Sequence, residues 1–247
     1  EKYILPDSWN DIVQLNQLLK EIELSSIGQE LLQKLLENVI YSSKRKISGQ
    51  YTTPMFLARL LVLLTLNNKT ETLHDPCCGT GTIARATYDI KKEVGISTKE
   101  SLKSIFASDK VAFPLQMATL AISEPTNFGE IIQVFKKDCS ELSIGEDIEF
   151  RNPFDGSVIN RKYYKINNIA SNLPFIKQED LKKLNPEIQN KINKLLNEKF
   201  SKKDKLNEKS DLYAYLPFTF WDILSENGRL GIIVSNSWLG TDWGEKF

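Results

Sequence analysis

The sequence holds only three cysteines in 247 residues, two of them adjacent, which leaves no material for a disulfide framework and suits a reducing compartment. It lacks an uncharged apolar stretch approaching the roughly 20 residues that cross a bilayer, and its first ten residues carry no apolar run of the kind that directs secretion. It also lacks charge of one sign. Lys and Arg number 32 against 32 Asp and Glu, so the formal net charge is zero and a stand-alone electrostatic nucleic-acid binder is disfavoured. No internal repeat is present. With hydrophobic residues at 41% and charged residues at 26%, the composition is that of a folded globular chain and excludes low-complexity disorder. The length suits one domain with a small appendage. The chain begins without Met and stops just after an apolar, strand-like run, so it is expected to be part of a longer protein.

The amino-terminal part reads as helical. Ile12, Leu15, Leu18 and Leu19 recur at helical spacing after Asp7 and Ser8, and residues 27–41 repeat the pattern. A basic linker over 42–49 follows, and Pro54 opens a third helix, 56–66, at a favourable first-turn position. The period then changes. Strands are expected at 70–74, 104–108, 131–135, 164–170 and 229–234. Helices are expected at 82–93, 114–122, 180–200 and 212–224, the last closed by the turn Glu226-Asn227-Gly228. Strands alternating with helices imply parallel pairing through right-handed crossovers. Asp75, Asp109, Asp138, Asn172 and Asn236 stand where the five strands stop. In an open α/β sheet a ligand sits outside those carboxyl ends.

The run Asp75-Pro76-Cys77-Cys78-Gly79-Thr80-Gly81-Thr82-Ile83-Ala84 lies between a strand and a helix. Gly79 and Gly81 permit a tight turn and close approach to a ligand. The spacing fits a dinucleotide fingerprint, while the Gly-Lys-Ser/Thr of a phosphate-binding P-loop is missing. Asp109, ending the next strand, could hold the two hydroxyls of a ribose, which suits NAD and S-adenosylmethionine equally. Cys77 and Cys78 with His74 invite a metal reading, but adjacent cysteines lack the usual ligand spacing, and small side chains filling a crowded loop explain them better.

The segment Asn172-Leu173-Pro174-Phe175 decides among these readings. It resembles the Asn-Pro-Pro-Tyr/Phe signature of the N6-adenine DNA methyltransferases, the N-6 DNA methylase group that includes modification subunits of restriction systems. The loop from Asp75 to Gly81 is similar to that family's Asp-Pro-x-x-Gly-x-Gly. Gly49-Gln50-Tyr51-Thr52-Thr53-Pro54 is similar to its upstream Gly-Gln/Glu-aromatic-x-Thr-Pro segment. Asp211-Leu212-Tyr213, Gly228-Arg229-Leu230 and Ser235-Asn236-Ser237-Trp238-Leu239 resemble the stretch through its fifth strand, in the family's order.

The resemblance implies an α/β, Rossmann-like, S-adenosylmethionine-dependent methyltransferase fold. It would have a central, mostly parallel sheet with helices on both faces, a helical segment over 1–48, and a methyltransferase domain over 49–247 that is cut off after its fifth strand. It implies that Gln50, Tyr51, Thr52, Thr53 and Pro54 close over the methionine end of the cofactor, with Asp75, Cys77, Gly79 and Gly81 lining that end. Asp109 would hold the ribose, and Asp138 would meet the cofactor's adenine. Asn172 and the carbonyl of Leu173 would accept hydrogen bonds from the target amino group, beside the cofactor, with Pro174 shaping the loop and Phe175 stacking on the flipped base. Leu173 departs from the family's first proline. Leu173→Pro is expected to preserve or raise the rate, provided the Leu173 N–H is unpaired.

The implied partner is duplex DNA, read by a recognition region outside this chain, with a specificity subunit or fused nuclease as a further partner. The implied setting is the bacterial cytoplasm, with no membrane association. Protein-glutamine and RNA guanine methyltransferases share the Asn-Pro-Pro-Tyr/Phe signature and stay open, as does a cofactor-binding subunit that is inactive without a partner. The upstream segment from Gln50 to Pro54 and the amino-terminal helices favour the DNA group. The lysine-rich stretch 177–209 reads as a solvated face. An NAD-dependent oxidoreductase is a distant alternative, because the chain's one histidine, His74, is its only candidate acid.

Overall fold

A computed structural model describes residues 52–176 and 211–242, with a few isolated positions besides. The chain divides into two compact units, Glu1–Val39 and Ile40–Phe247, and every element below belongs to the second. Apart from isolated positions, the expected amino-terminal helices and the lysine-rich stretch 177–209 lie outside the described residues.

Helix α1 (Met55–Thr65) is followed by strand β1 (Leu73–Asp75), α2 (Thr82–Glu93), α3 (Thr98–Lys103), β2 (Ile105–Asp109), α4 (Ala112–Ile122) and β3 (Val134–Lys136). Strands β4 (Asp147–Arg151) and β5 (Val158–Lys162), then β6 (Ile166–Asn172), α5 (Leu212–Phe220) and β7 (Leu224–Ile233), complete the described elements. The main sheet has the order β3-β2-β1-β6-β7, and every adjacent pair is parallel. β4 and β5 form a separate antiparallel hairpin.

Because side chains alternate along a strand, each strand feeds two cores. On β2, Ile105 and Ala107 pack with Leu115, Ala118 and Ile122 of α4 and with Tyr88 of α2. Phe106 turns the other way, into a cluster with Tyr213 and Leu216 of α5 and with Ile148 and Phe150 of the hairpin. On β6, Ala170 joins Ala58, Leu61 and Val62 of α1, while Ile169 joins the α5 cluster. Helices α1, α2 and α4 therefore cover one face, and α5 with the hairpin covers the other. This is the α/β layering expected.

Several boundaries differ from the expected ones. Pro54 is the N-cap of α1, with φ −58° and ψ 139°, and not its first turn; its carbonyl accepts from the amides of Leu57 and Ala58 at 3.0 Å. The last helix stops at Phe220, and Leu224 already pairs with Ile166. The Glu226-Asn227-Gly228 turn is absorbed into β7 as a bulge, since pairing resumes at Asn168 with Arg229 and Asn227 takes φ 61°.

Candidate active site

All five main-sheet strands run parallel, so their carboxyl ends share one edge. Asp75, Asp109 and Asn172 are the last residues of β1, β2 and β6. Asp138 follows β3 by two residues, and Asn236 opens a 3-10 turn after β7. β1 lies between β2 and β6, the place where the chain reverses its direction of winding and where α/β sheets open a crevice.

The glycine loop is tied to that edge by backbone bonds. The Cys78 amide donates to the Ser108 carbonyl at 3.0 Å, and the Gly81 amide donates to the Cys78 carbonyl at 2.8 Å. Gly81 takes φ 85° as the N-cap of α2, and a Cβ there would stand 2.6 Å from the Ala118 Cα. Glycine is therefore required twice at this residue, for conformation and for space. Gly79 also takes a positive φ, 50°, but a Cβ there would meet nothing within 4 Å.

Asp109 organises the loop. Its Oδ2 accepts from the Gly79 amide at 3.2 Å and its Oδ1 from the Val111 amide at 2.9 Å. Burial raises its carboxyl above the ordinary value, and these two amides pull it partly back. Asp75 is 1% exposed. Its Oδ1 accepts from the Ser171 hydroxyl at 2.7 Å and from the Cys77 amide at 3.2 Å. Burial pushes it up to about 7, against those bonds, and the neighbouring Asp109 adds to the rise.

Asn172 closes the crevice on the β6 side. Its Nδ2 donates to Thr53 Oγ1 at 3.0 Å, and its Oδ1 is buried with no hydrogen-bond partner among the described residues. Phe175 meets Tyr213 edge-on, with ring centroids 6.5 Å apart. The Tyr213 hydroxyl lies 2.9 Å from Ser237 Oγ, which donates to Asp211 Oδ2 at 3.3 Å. Three motifs separated in the chain, around residues 175, 211 and 237, thus meet behind one loop.

Leu173 does not meet the condition placed on it. Its amide donates to the Ile233 carbonyl at 3.1 Å, and its side chain is 1% exposed within the α5 core. Proline there would remove a sheet hydrogen bond, so the expected tolerance of Leu173→Pro is withdrawn.

Of the other expected residues, Thr52 and Pro54 are exposed and Thr53 is half-buried, whereas Gln50 and Tyr51 lie outside the described residues. Asp138 caps a short 3-10 turn, its Oδ1 accepting from the Ser140 amide at 2.9 Å and hydroxyl at 2.8 Å. Cys77 hydrogen-bonds to Cys139, and that bond together with burial holds its thiol well above the ordinary range. His74 points away from the edge into the α5 core. Its Nδ1 is 2.7 Å from the Tyr163 hydroxyl and its Nε2 is 3.0 Å from Ser108 Oγ. Burial lowers it to about 3.

Sequence reasoning passed over the hairpin and α3. The alternation Asp147-Ile148-Glu149-Phe150-Arg151, buried only at Ile148 and Phe150, was a strand signal. Ser97 with Glu100 three residues later was a helix-start signal, and the Ser97 side chain does accept from the Glu100 amide. The Thr53 contact with Asn172 joins distant segments and left no local signal.

These residues fit S-adenosylmethionine. Among the described residues the space beside Gly79 is open, and the Asp109 carboxylate stands at its rim.

Comparison with known proteins agrees. The family described as N-6 DNA Methylase matches residues 29–246. Type II methyltransferase M.AccI of Acinetobacter calcoaceticus is 25% identical over 202 residues, which is 81% of this chain and 30% of that protein. The chain thus spans less than a third of that relative's length. A class I S-adenosylmethionine-dependent methyltransferase of Listeria monocytogenes is similar in fold, with a TM-score of 0.55 and 14% identity over 95% of this chain and 62% of its own. The DrdV–DNA complex gives a TM-score of 0.63 at 18% identity, covering 97% of this chain and 27% of that one. The Type ISP restriction-modification enzyme LlaBIII bound to DNA gives 0.56 at 18% identity, over 88% and 17%. The fold is that of the S-adenosylmethionine-dependent methyltransferases. By the match over most of its length, the chain belongs to the N-6 DNA methylase family.

Proposed function

We propose that the protein transfers a methyl group to the N6 amino group of adenine in duplex DNA, as the modification component of a restriction-modification system. The observation that carries this reading is the Oδ1 of Asn172 at the strand-end crevice, buried and unpartnered among the described residues. A buried acceptor left unpaired costs about 1–3 kcal/mol, which a donor arriving with the substrate offsets.

An exocyclic amino group supplies that donor. Its lone pair is delocalised into the ring, so it is a poor nucleophile until acceptors on its two hydrogens draw the nitrogen toward tetrahedral geometry. Asn172 Oδ1 and the Leu173 carbonyl are those acceptors. S-adenosylmethionine supplies, when bound, an electrophilic sulfonium methyl, so the protein's task is positioning. Asp109 would hold its ribose, Asp138 its adenine, and Thr52, Thr53 and Pro54 with Asp75, Cys77, Gly79 and Gly81 its methionine end. The target base must leave the duplex at a cost of a few kcal/mol. Stacking on Phe175, whose ring is steadied by Tyr213, returns on the order of 1–3 kcal/mol.

Balanced charge supports a recognition region elsewhere in the protein or in a partner, with a specificity subunit or fused nuclease in that role. Among the described residues no helix is long and apolar enough to cross a membrane, and the proposed setting is the cytoplasm. Incubating the full-length protein with labelled cofactor and, separately, unmodified DNA, RNA or protein tests the substrate class. Label appearing only in DNA, as N6-methyladenine, is expected. Label in RNA or protein alone would overturn the reading.

A further inference from the structure

We infer that Thr53 is a positioning residue for the transfer, holding the Asn172 carboxamide so that its oxygen faces the target amino group. This goes beyond a contact with the cofactor, and it rests on the function proposed above.

A carboxamide presents an acceptor on one side and two donors on the other, and the two sides have nearly the same shape. Rotation by half a turn would aim Nδ2 at the target amino group, donor against donor, and the acceptor would be lost. In the productive orientation Oδ1 serves the substrate, so Nδ2 must find an acceptor within the protein. Thr53 Oγ1, at 3.0 Å, is that acceptor. Oδ1 meanwhile is buried and unpartnered among the described residues, the state of a group held ready for a ligand. The bond has a second effect. Donation from Nδ2 draws electron density toward the carboxamide oxygen and strengthens it as an acceptor.

The placement of Thr53 makes the bond possible. Pro54 is the extended N-cap of α1, and α1 packs through Ala58, Leu61 and Val62 against Ala170 of β6. Thr53 is thereby anchored beside the end of the strand that Asn172 terminates. The Ser171 bond to Asp75 holds that strand end from its β1 side. Asn172 thus ends a strand that Ser171 ties to β1, and its own side chain is held by Thr53.

The test uses the full-length protein with Thr53→Val and Thr53→Ala, which delete the hydroxyl, and Thr53→Ser, which restores it. Two readouts are taken. The first is the Asn172 side-chain amide resonance pair after selective 15N-asparagine labelling, assigned by its loss in Asn172→Ala. The second is the single-turnover methyl-transfer rate set beside the cofactor dissociation constant. Both deletions should shift the amide pair and slow transfer at saturating cofactor by about tenfold to a hundredfold, a loss larger than the accompanying fall in cofactor affinity. Thr53→Ser should return the resonances and most of the rate. Alanine covers the case in which valine does not fold.

The outcomes separate the two claims. If wild type methylates adenine, Asn172→Ala does not, and both deletions match wild type, the positioning role is wrong and the proposed function stands. If cofactor affinity falls while the rate at saturating cofactor and the amide resonances stay as in wild type, Thr53 is a cofactor contact alone and the inference is overturned. If wild type methylates no adenine, the proposed function fails, and the amide resonances still decide: unmoved by the deletions, they overturn the inference, and moved and then restored by serine, they support the bond it rests on.

Discussion

The Leu173 amide donates to the Ile233 carbonyl at 3.1 Å, one rung beyond the pairing of Asn172 with Ile233 that ends the β6–β7 ladder. The loop proposed to hold the target base is therefore anchored at its second residue. Leu173→Pro would break that rung and trim a buried side chain. It should destabilise the protein by roughly 2–4 kcal/mol. A urea titration checks this through the unfolding midpoint, and a midpoint equal to wild type would mean that the rung contributes nothing.

The two loop glycines should separate stability from binding. Gly81→Ala sets a methyl against the Ala118 backbone at positive φ, and should lower the melting temperature by several degrees, equivalent to about 2 kcal/mol or more. Gly79→Ala meets open space, so its cost is conformational strain of about 1 kcal/mol. Its methyl enters the volume proposed for the cofactor, however, and affinity should fall more than stability does. Thermal melts and calorimetry on both variants give the comparison. Equal losses of stability would contradict it.

Asp109 holds the Gly79 and Val111 amides and is proposed to hold the ribose hydroxyls as well. Asp109→Ala should weaken S-adenosylmethionine binding by about 1.5–3 kcal/mol through the lost charge-assisted bonds. Wild type should bind S-adenosylmethionine and not NAD in the same calorimeter. Tight NAD binding alone would contradict the cofactor assignment.

His74 and Asp75 are neighbours with opposite dependences on pH. His74 is lowered from 6.5 to about 3, so the folded state resists its protonation and its contribution is lost as pH falls below 6.5. Asp75 is raised from 3.8 to about 7, so its contribution is greatest in acid and is lost as pH rises toward 7. Between 3.8 and 6.5 the two slopes oppose each other. Asp75→Asn should leave stability climbing with pH across that window, and His74→Gln should leave it falling, each by up to about 1.4 kcal/mol per pH unit. Denaturant midpoints at several pH values read the slopes. Parallel slopes in the two variants would show that other groups govern the profile.

Local chemistry made much of this legible in advance. Helix α2 appears over its expected range because Gly81 marks its start and its apolar residues keep one period. The strand-end carboxylates were readable because a parallel sheet brings like ends together. Where tertiary contacts compete with propensity, the reading failed. Residues 221–224 look like helix, yet Leu224 is drawn into pairing with Ile166. Leu173 looked like a loop residue until Ile233 was seen to accept its amide. Asp138 stands near a strand end as expected, but its Oδ1 also caps its own turn, a use that its place in the sequence order does not announce.

The central claim is that Asn172 aims an adenine amino group at a bound methyl donor. The most direct measurement is single-turnover transfer of labelled methyl into unmodified DNA by full-length wild type and Asn172→Ala, with the modified nucleoside identified by mass spectrometry and cofactor affinity measured alongside. The account predicts N6-methyladenine from wild type, a rate lower by about a hundredfold or more in the variant, and nearly unchanged cofactor affinity. An equal rate in both proteins, or label on another base, would contradict it.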